Sequence, residues 1–305
     1  MDNRIGEMDV FVTAVELDSF SAAGRRLGRS PSAVSKMIRR IEDRLGTRLL
    51  VRSTRSLQLT PEGEIYRQRA LRIIAEIEET ERVVASGASA APRGLLRVNS
   101  SVAVGQYLIL PLMPKFLALY PEVELDMTLS ERVVDLIGEG ADIAIRVGPM
   151  RDSNLKARKL CESPKVVVAS PNYLAARGVP RLPADLQRHN CLNFNFRRAL
   201  EEWPFRDPDT GEIEMRAISG NFFASSGAIV RQMCLAGLGI ARLGRFHLAR
   251  DIEAGRLVVL LEDHNPGDLE QINAVFVGHD YLATRIRTFV DFLAENMGPA
   301  GRNHI

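Results

Sequence analysis

The stretch SPSAVSKMIRRIEDRL, residues 30–45, decides the fold of the N-terminal part of the chain. Ser30 can cap a helix, Pro31 suits its first turn, and Gly46 suits a left-handed stop, so the sequence predicts one helix of about four turns. Two faces alternate at three- and four-residue spacing, an apolar one of Val34, Met37, Ile38, Ile41 and Leu45 and an outward one of Ser32, Ser35, Lys36 and Arg39. The outward face carries only hydroxyls and cations. It could be an ordinary solvated surface, but its cations favour a nucleic-acid partner.

The distribution of charge supports that interpretation. The chain has 305 residues, a net charge of +2, 46% hydrophobic and 26% charged residues, which is typical of a soluble protein of two or three domains. Residues 19–60 contain ten arginines and lysines but only two acids, a net charge of +8, which leaves −6 for the rest. A basic N-terminal module joined to an acidic body is typical of a nucleic-acid binder with an appended domain.

Several classes of function find no support in the sequence. No signal peptide and no uninterrupted apolar run of membrane-spanning length is present, so we expect a cytoplasmic protein without a membrane partner. Cys161, Cys191 and Cys234 lack C-x-x-C spacing, which favours buried reduced thiols and leaves a peroxide-type thiol sensor unsupported. The five histidines lack metal-ligand spacing, and no nucleophile elbow or phosphate loop occurs. We therefore predict no enzyme activity, no metal and no cofactor.

The residues around the first stretch predict a winged helix-turn-helix. Two helices, Met8–Leu17 and Ala22–Leu27, precede it, and the second is joined to it by a Gly-Arg-Ser turn. Two short strands, Arg48–Arg52 and Leu57–Leu59, follow it and would form a hairpin, the wing. Arginines of this wing could contact phosphates or the minor groove.

Residues 19–63, SFSAAGRRLGRSPSAVSKMIRRIEDRLGTRLLVRSTRSLQLTPEG, resemble the winged helix-turn-helix of LysR-type transcriptional regulators. The resemblance implies contacts with double-stranded DNA by Arg29, Ser30, Ser32, Ser35, Lys36, Arg39, Arg52 and Arg55. Many relatives carry glutamine where this chain has Pro31. Because proline cannot read a base edge, the operator sequence of those relatives cannot be transferred.

A long helix should follow the wing. Thr60, Pro61 and Glu62 form a helix start, and the helix can continue to about Ala85. A heptad-like 4-3-4-3-4 spacing joins Tyr66, Ala70, Ile73, Ile77, Thr80 and Val84. This spacing favours a coiled-coil seam between two subunits, although packing of the helix on its own domain would give the same spacing. The resemblance implies a linker helix that forms a homodimer, and a homotetramer built from two dimers.

The remainder of the chain alternates strand-like and helical segments, among them strands at Val123–Leu129 and Cys191–Phe194 and a helix at Arg132–Ile137. This alternation predicts an α/β architecture. It resembles the effector-binding region of the same family, a two-lobed fold like that of type 2 periplasmic solute-binding proteins, in residues 93–101, 116–125, 140–148 and 169–174. We expect the chain to cross between lobes near Glu162–Pro164 and Asp263–Gly267. The predicted domains are the winged helix-turn-helix at 1–60, the linker helix at 61–88, a hinge at 89–94, lobe 1 at 95–163 and 268–305, and lobe 2 at 164–267.

A cleft between the lobes is the predicted effector site. Open α/β sheets bind ligands at strand ends, and helix N-termini there attract anions. The candidate residues are Ser100, Ser101, Ser130, Arg146, Phe194, Phe223, Ser225 and Ser226. Each has an ordinary alternative: the serines could be helix caps, the arginine could pair with Asp142 or another surface acid, and the phenylalanines could be core. Because these side chains are neutral or cationic, a small organic acid is the preferred ligand.

Together these features predict an effector-controlled transcriptional regulator, for which RNA polymerase is a candidate partner. Two other functions stay open from the residues alone. One is an architectural DNA-binding protein without a ligand, and the other is a cytoplasmic solute-binding sensor.

Overall fold

The structure is a computed structural model that describes residues 3–52, 57–86, 91–132, 141–148, 155–195, 202–277 and 282–297. The chain divides into two compact units, Met1–Gly94 and Leu95–Ile305. Each unit has its own hydrophobic core.

The first unit is a winged helix-turn-helix followed by a long helix. Its elements are α1 (Arg4–Glu16), α2 (Phe20–Arg26), α3 (Pro31–Leu45), β1 (Leu50–Arg52), β2 (Leu57–Leu59) and α4 (Pro61–Ser86). Strands β1 and β2 pair antiparallel, with Leu50 opposite Leu59. The core between the helices contains Phe11, Val34, Ile38 and Ile41, all fully buried, so the predicted apolar face of α3 is the face that packs inward.

Helix caps set the limits of these helices. The Ser30 hydroxyl accepts a hydrogen bond from the Ala33 N–H, and Gly46 adopts φ +66°, which confirms the predicted start and stop of α3. Helix α1 begins four residues before its predicted start, because Asn3 caps it. Helix α2 begins two residues before its predicted start, because Ser19 is its cap.

Gly24 is required by the helix-turn-helix packing. A Cβ at this position would lie 2.6 Å from the carbonyl oxygen of Arg29, in the turn that leads into α3. The absent side chain therefore allows α2 to approach the turn closely, which offsets the low helix propensity of glycine.

The second unit contains the remaining elements. The helices are α5 (Val102–Val104), α6 (Met113–Leu119), α7 (Pro171–Arg177), α8 (Gly227–Leu235), α9 (Ala249–Glu253) and α10 (Thr284–Met297). The strands are β3 (Gly94–Ser100), β4 (Val123–Leu129), β5 (Ile143–Val147), β6 (Leu155–Ala169), β7 (Cys191–Phe194), β8 (Glu202–Arg206), β9 (Ile213–Ala217), β10 (Phe223–Ala224), β11 (Ile240–Gly244), β12 (Val258–Leu260) and β13 (Leu269–Val277). A π-helical turn, Gly105–Ile109, and 3₁₀ turns at Leu110–Leu112, Pro183–Arg188, Arg245–His247 and Glu262–His264 complete it.

Two long strands tie the second unit together. The main sheet has the order β10-β7-β11-β6-β13-β5-β3-β4, with β12 also beside β6. The first part of β6 pairs antiparallel with β13, and its last five residues pair with β11 and β12. Parallel pairs occur on both sides, β3 with β5 and β7 with β11. Strand β6 therefore runs from one half of the sheet into the other.

The two halves have separate cores, and we call them lobe 1 and lobe 2. The lobe 1 core is built around Phe116 and Phe289, whose rings meet edge to face with centroids 4.9 Å apart. The lobe 2 core lies on both faces of its sheet, around Leu192 on one face and Trp203 on the other. This arrangement is the predicted two-lobed α/β fold.

Two regions differ from the sequence-based expectation. The hairpin of β8 and β9 was not predicted, and neither was the helical path over residues 102–112. By length and composition, Val102–Leu119 could cross a membrane. Its Val104, Ile109 and Phe116 are fully buried in the lobe 1 core, which accounts for its apolar character. The helix predicted at Arg132–Ile137 lies outside the described residues, apart from its first residue.

Candidate nucleic-acid interface and ligand cleft

The outward face of α3 is a cationic surface. Ser32, Lys36 and Arg39 are exposed, and Ser35 is half-buried beside them. Lys36 and Arg39 make no ion pair with any residue that the structure describes. Exposed and unneutralised, these two cations are available to phosphates.

The turn before α3 extends this surface. Arg29 is exposed and likewise makes no ion pair within the described ranges. Ser30 is exposed, and its hydroxyl lies 3.0 Å from that of Ser32 while capping the helix. The capping role fixes the position of the Ser30 side chain at the edge of the surface.

The other cations of α3 have structural roles. Arg44 and Arg40 donate to the carboxylate of Glu7, at 2.7 Å and 3.4 Å. Glu7 is almost completely buried at the α1–α3 contact. Because the single Glu7 carboxylate offsets one of the two charges of Arg40 and Arg44, the +8 count for residues 19–60 overstates the charge that the surface presents.

Glu42 joins α3 to the wing. Its carboxylate accepts from the N–H groups of Leu49 and Leu50, at 2.9 Å and 3.2 Å, and from Arg48 at 2.8 Å. Burial would raise the pKa of Glu42, but these hydrogen bonds and the charge of Arg48 together lower it below its ordinary value. The acid that sequence reasoning counted as a surface charge is therefore a buried connector.

The wing is fixed at both ends. Asp18, at φ +45°, accepts a hydrogen bond from the N–H of Leu57 at 2.7 Å. Thr60 donates to the carbonyl of Arg48 at 2.7 Å and caps α4 by accepting from the Gly63 N–H at 2.9 Å. The side chain of Arg52 and all of Arg55, both predicted to contact DNA, lie outside the described residues.

The predicted seam of α4 divides into two parts. Ala70 is buried in the core of the first unit, and the ring of Tyr66 meets Phe11 edge to face at 5.2 Å. At these two residues the helix packs on its own domain, which was the alternative to a seam between two subunits. Further along, Ile73 is 39% exposed and Val84 81% exposed. Among the seam residues that the structure describes, those of this C-terminal part leave apolar side chains exposed.

The first predicted serine pair lies between β3 and α5. Ser100 is completely buried and its hydroxyl donates to the Ser101 carbonyl at 3.1 Å, so it is not available to a ligand in this conformation. The Ser101 hydroxyl is also buried, but nothing among the described residues hydrogen-bonds it. A buried hydroxyl without a partner is costly, which makes Ser101 the most distinctive of the predicted effector residues.

A carboxylate of the chain itself lies beside this pair. Glu131 accepts a hydrogen bond from the N–H of Val102, the first residue of α5, at 3.0 Å. Burial raises the pKa of Glu131, against the opposing effects of this N–H and of Arg146. The start of α5 thus binds a carboxylate, but an internal one.

Ser130 and Arg146 have structural partners. The Ser130 hydroxyl accepts from the Arg132 N–H at 3.2 Å. Arg146 donates to the Asn99 side chain at 2.5 Å and to the Arg132 carbonyl at 3.1 Å. It does not form the predicted alternative pair with Asp142, whose carboxylate accepts from the N–H of Arg97. Arg146 thus holds the end of β5 against neighbouring backbone, which leaves fewer donors for a ligand.

The lobe 2 candidates are more dispersed. Ser226 is buried and caps α8 by accepting from the Ile229 N–H at 3.4 Å, whereas Ser225 is exposed. Phe194 is half-buried against the lobe 2 core, and Phe223 is 53% exposed on β10. Ser226 caps the start of α8, the lobe 2 helix that contacts α5 of lobe 1.

Three side chains that sequence reasoning missed bridge the lobes. Tyr107 of lobe 1 stacks on His247 of lobe 2, with ring centroids 6.0 Å apart, and the guanidinium of Arg231 lies 5.2 Å from its ring centre. Burial, with Arg231 nearby, lowers the pKa of His247 to about 3, so the imidazole is neutral at ordinary pH. Arg231 is in turn paired with the buried carboxylate of Asp251. Tyr107 lies in the helical path that was not predicted, and no motif marked it.

A surface cavity of about 640 Å³ lies elsewhere in lobe 2. It is lined by polar and cationic side chains, among them Arg177, Arg188 and Asn221, and none of the predicted effector residues lines it. At its floor the Tyr173 hydroxyl lies 3.2 Å from Nδ1 of His189.

The cysteines have the properties of core residues. Cys191 and Cys234 are buried, and burial raises the pKa of both thiols to about 12. Thiolates are the reactive form, so these two positions are unsuited to peroxide sensing. Within the described ranges no cluster of three or more His, Cys, Asp or Glu residues could hold a metal ion.

The sequence matches two families of known proteins. Residues 5–64 match the family described as bacterial regulatory helix-turn-helix protein, lysR family, and residues 89–298 match the LysR substrate binding domain. The HTH-type transcriptional regulator CrgA of Neisseria meningitidis serogroup C is 40% identical over 298 residues, 98% of this chain and 98% of that protein. The HTH-type transcriptional activator AaeR of Escherichia coli K12 is 33% identical over 301 residues, 98% of this chain and 96% of that protein.

Solved structures agree with these matches. The structure of CrgA from Neisseria meningitidis has a TM-score of 0.64 and 39% identity, covering 96% of this chain and 98% of that one. The full-length virulence activator AphB of Vibrio cholerae has a TM-score of 0.57 and 28% identity, covering 94% and 97%. The chain therefore belongs to the LysR family of DNA-binding transcriptional regulators, with the substrate-binding domain of that family as its second unit.

Proposed function

We propose that this regulator reads duplex DNA with the outward face of α3 and responds to a small organic acid bound between the two lobes of its second unit. The observation that carries the DNA part is the contrast along α3. Lys36 and Arg39 are exposed without an ion pair among the described residues, whereas Arg40 and Arg44 are held by Glu7. Ser32 and Ser35, with Arg29 and Ser30 at the helix start, supply further donors to phosphates or bases. Arg52 and Arg55 of the wing are further proposed contacts with DNA.

The effector proposal depends on the start of α5. A ligand carboxylate that replaced Glu131 at the Val102 N–H would also give the buried Ser101 hydroxyl a partner. Ser226 caps the start of α8, which contacts α5, and Tyr107 follows α5 and stacks on His247 of lobe 2. Both would therefore lie on neighbouring walls of the cleft. Apart from Glu131, which the ligand would displace, the groups described around this point are neutral or cationic and favour an anion.

The link between ligand and DNA is a change in subunit arrangement. Exposed Ile73 and Val84 favour a homodimer through the C-terminal part of α4. A dimer presents two recognition helices to a dyad-symmetric operator. Closing of the lobes around the effector would shift the balance between subunit arrangements, and with it the bending of the operator in the cytoplasm. RNA polymerase is the partner through which such a change would act on transcription.

Selection of duplexes tests the DNA part. Genomic fragments retained by the purified full chain should share one dyad-symmetric sequence, and affinity for it should fall steeply with salt. Random fragments that bind equally well at moderate salt would contradict sequence-specific regulation and favour an architectural DNA-binding protein.

A thermal-shift panel of small carboxylic acids tests the effector part. A ligand at one hundred times its Kd should stabilise the folded chain by about 2.7 kcal/mol. Ser101→Ala should remove most of this stabilisation while operator binding persists, and Ser219→Ala, an exposed lobe 2 substitution, is the matched control. Equal stabilisation in Ser101→Ala would exclude this hydroxyl, and no stabilisation by any acid would contradict the proposed ligand class.

A further inference from the structure

The hairpin of β8 and β9 carries an open strand edge. Trp203 and Phe205 on β8 are buried in the lobe 2 core, so one face of the hairpin is anchored. The opposite face is exposed and apolar: Ile213 is 58% and Met215 53% exposed. Strand β9 pairs with β8 on one side, and no strand that the structure describes pairs with its other side. Exposed apolar edge strands are surfaces on which another strand can pair.

The register determines which backbone groups point outward. Asp207 N–H donates to the Glu212 carbonyl, so residues 207 and 212 form a hydrogen-bonded pair at the turn. Bonded and non-bonded pairs alternate along an antiparallel ladder, which makes Pro204 and Met215 a non-bonded pair. Proline, which has no N–H, fits that position. Met215, together with Ile213 and Ala217, therefore directs its N–H and C=O away from β8.

The sequence of β9, IEMRA, is complementary to itself. Suppose that a second β9 approaches antiparallel, with a two-fold axis at Met215. Each outward backbone N–H of one copy then faces an outward C=O of the other, and Ile213 lies opposite Ala217. In the same register Glu214 lies opposite Arg216 of the second copy, and the reverse pair forms by symmetry. A one-residue slip breaks both the hydrogen-bond pairing and the charge match.

We propose that β9 is a self-pairing interface, in which two copies of this chain join their hairpins into a four-stranded antiparallel sheet across a two-fold axis at Met215. The contact is isologous, since each copy contributes the same strand. It buries Ile213 and Met215 on one face and brings two Glu214–Arg216 pairs together on the other. It is distinct from the proposed α4 dimer contact, so the two together build an assembly larger than a dimer.

Site-directed crosslinking of the full chain tests the two-fold axis directly. Residues in a hydrogen-bonded antiparallel pair have Cα atoms about 5.5 Å apart, so Met215→Cys should be joined between subunits by a bifunctional thiol reagent of similar span. Ile213→Cys is the matched control, because its two copies would lie about 14 Å apart, four residues along the strand. The unsubstituted chain reports any background from its native cysteines. Crosslinking of Ile213→Cys as efficient as that of Met215→Cys, or no crosslinking of either, would overturn the proposal.

Charge reversal tests the register in solution. Glu214→Arg should weaken the assembly beyond the dimer at least tenfold by sedimentation velocity, because like charges then face each other across the axis. The double substitution Glu214→Arg/Arg216→Glu should restore it. Glu202→Arg makes the same charge change on β8, the outer strand of the proposed four-stranded sheet, and should have no effect.

A backbone variant gives an independent check that does not depend on charge. Met215→Pro removes an outward N–H while leaving the β8 ladder its bonds, so the chain should stay folded by circular dichroism and lose the larger assembly. A larger species that persists in both Glu214→Arg and Met215→Pro, or its absence from the unsubstituted chain at all concentrations, would overturn the proposal. Loss of the α4 dimer with retention of crosslinking at Met215 would separate this interface from that of the proposed function.

Discussion

The cations of α3 differ from those of the proposed ligand cleft in whether other residues of the chain pair with them. On α3, Lys36 and Arg39 are exposed and make no ion pair within the described ranges, so their charge is available to a partner. In the second unit, Arg146 donates to Asn99 and to backbone carbonyls, and Arg231 is held by Asp251. A surface that binds DNA needs uncompensated charge, whereas a cleft built from buried cations must compensate each one to avoid the cost of desolvation. We therefore expect the exposed cations of the first unit to contact DNA and the arginines of the second unit to have a structural role.

The largest effect should come from removing the compensation in lobe 2. Asp251 is fully buried and accepts from both Arg231 and Arg256. Asp251→Ala leaves Arg231 without its partner in a largely buried position, and we expect a loss of about 3–5 kcal/mol in the free energy of unfolding, measured by urea denaturation. Arg256→Ala, which removes the more exposed partner, should cost less than about 1 kcal/mol. Equal losses in the two variants would show that the buried pair of Asp251 with Arg231 contributes no more to stability than the exposed pair with Arg256.

The next effect should appear in DNA binding. Replacing Lys36 and Arg39 together by alanine should lower operator affinity about 10- to 100-fold. The slope of log affinity against log salt should fall by about two per subunit, or about four for a dimer on its operator, about one for each lost phosphate contact. Arg44→Ala is the contrasting variant on the same helix. This substitution should lower the stability of the fold, because the buried Glu7 carboxylate loses its shorter ion pair. It should leave the slope of log affinity against log salt unchanged. If the salt slope of Arg44→Ala changed as much as that of the double variant, the proposed difference between Arg44 and the pair Lys36 and Arg39 would be wrong.

A smaller effect on the free energy of unfolding should appear when acid protonates Glu42, which connects α3 to the wing. Because the folded-state pKa of Glu42 is below its ordinary value of 4.5, its contribution to stability is complete above that value and is lost as pH falls through the folded-state pKa. Glu42→Gln should lose about 1–2 kcal/mol at pH 7 and show a flatter decline of stability below pH 4.5 in acid-unfolding curves. Asp43→Asn, an exposed neighbour, is the control. An unchanged acid profile in Glu42→Gln would contradict the connector role.

The smallest effect is expected for an exposed pair. Arg26 lies 3.8 Å from Glu16, and both side chains are well exposed. Arg26→Ala should therefore change the free energy of unfolding by less than about 0.5 kcal/mol in thermal melts at ordinary salt. A loss above 1 kcal/mol would mean that surface pairs contribute to this fold as much as buried ones.

Sequence reasoning worked best where structure is local. Ser30, Pro31 and Gly46 marked the ends of α3, since capping and left-handed termination depend on residues within one turn. Strands β4 and β7 were located residue for residue, because each is a short run between turn signals. The β8–β9 hairpin escaped, as the buried Trp203 and Phe205 give it an alternation too short to separate from a loop.

For the same reason, the residues of the predicted sites differ in how far the sequence alone could place them. An outward helix face follows from spacing alone, so Lys36 and Arg39 could be named. The cleft is assembled from residues far apart in the chain, so Tyr107, Arg231 and His247 carried no signal. Arg146 could be identified as a cation at a strand end, but its acceptors, Asn99 and the Arg132 carbonyl, depend on neighbouring segments in space.

By itself, the sequence determined helix α3, its polar face, the α/β character of the body and the family, because these depend on local caps, periodicity and motif. Only the tertiary structure decided which charges stay available. Glu7 binds Arg40 and Arg44 across more than thirty residues, Glu42 is buried under the wing, and Tyr66 and Ala70 pack on α1. Each depends on burial and on partners distant in sequence, which the spacing of residues along one helix cannot reveal.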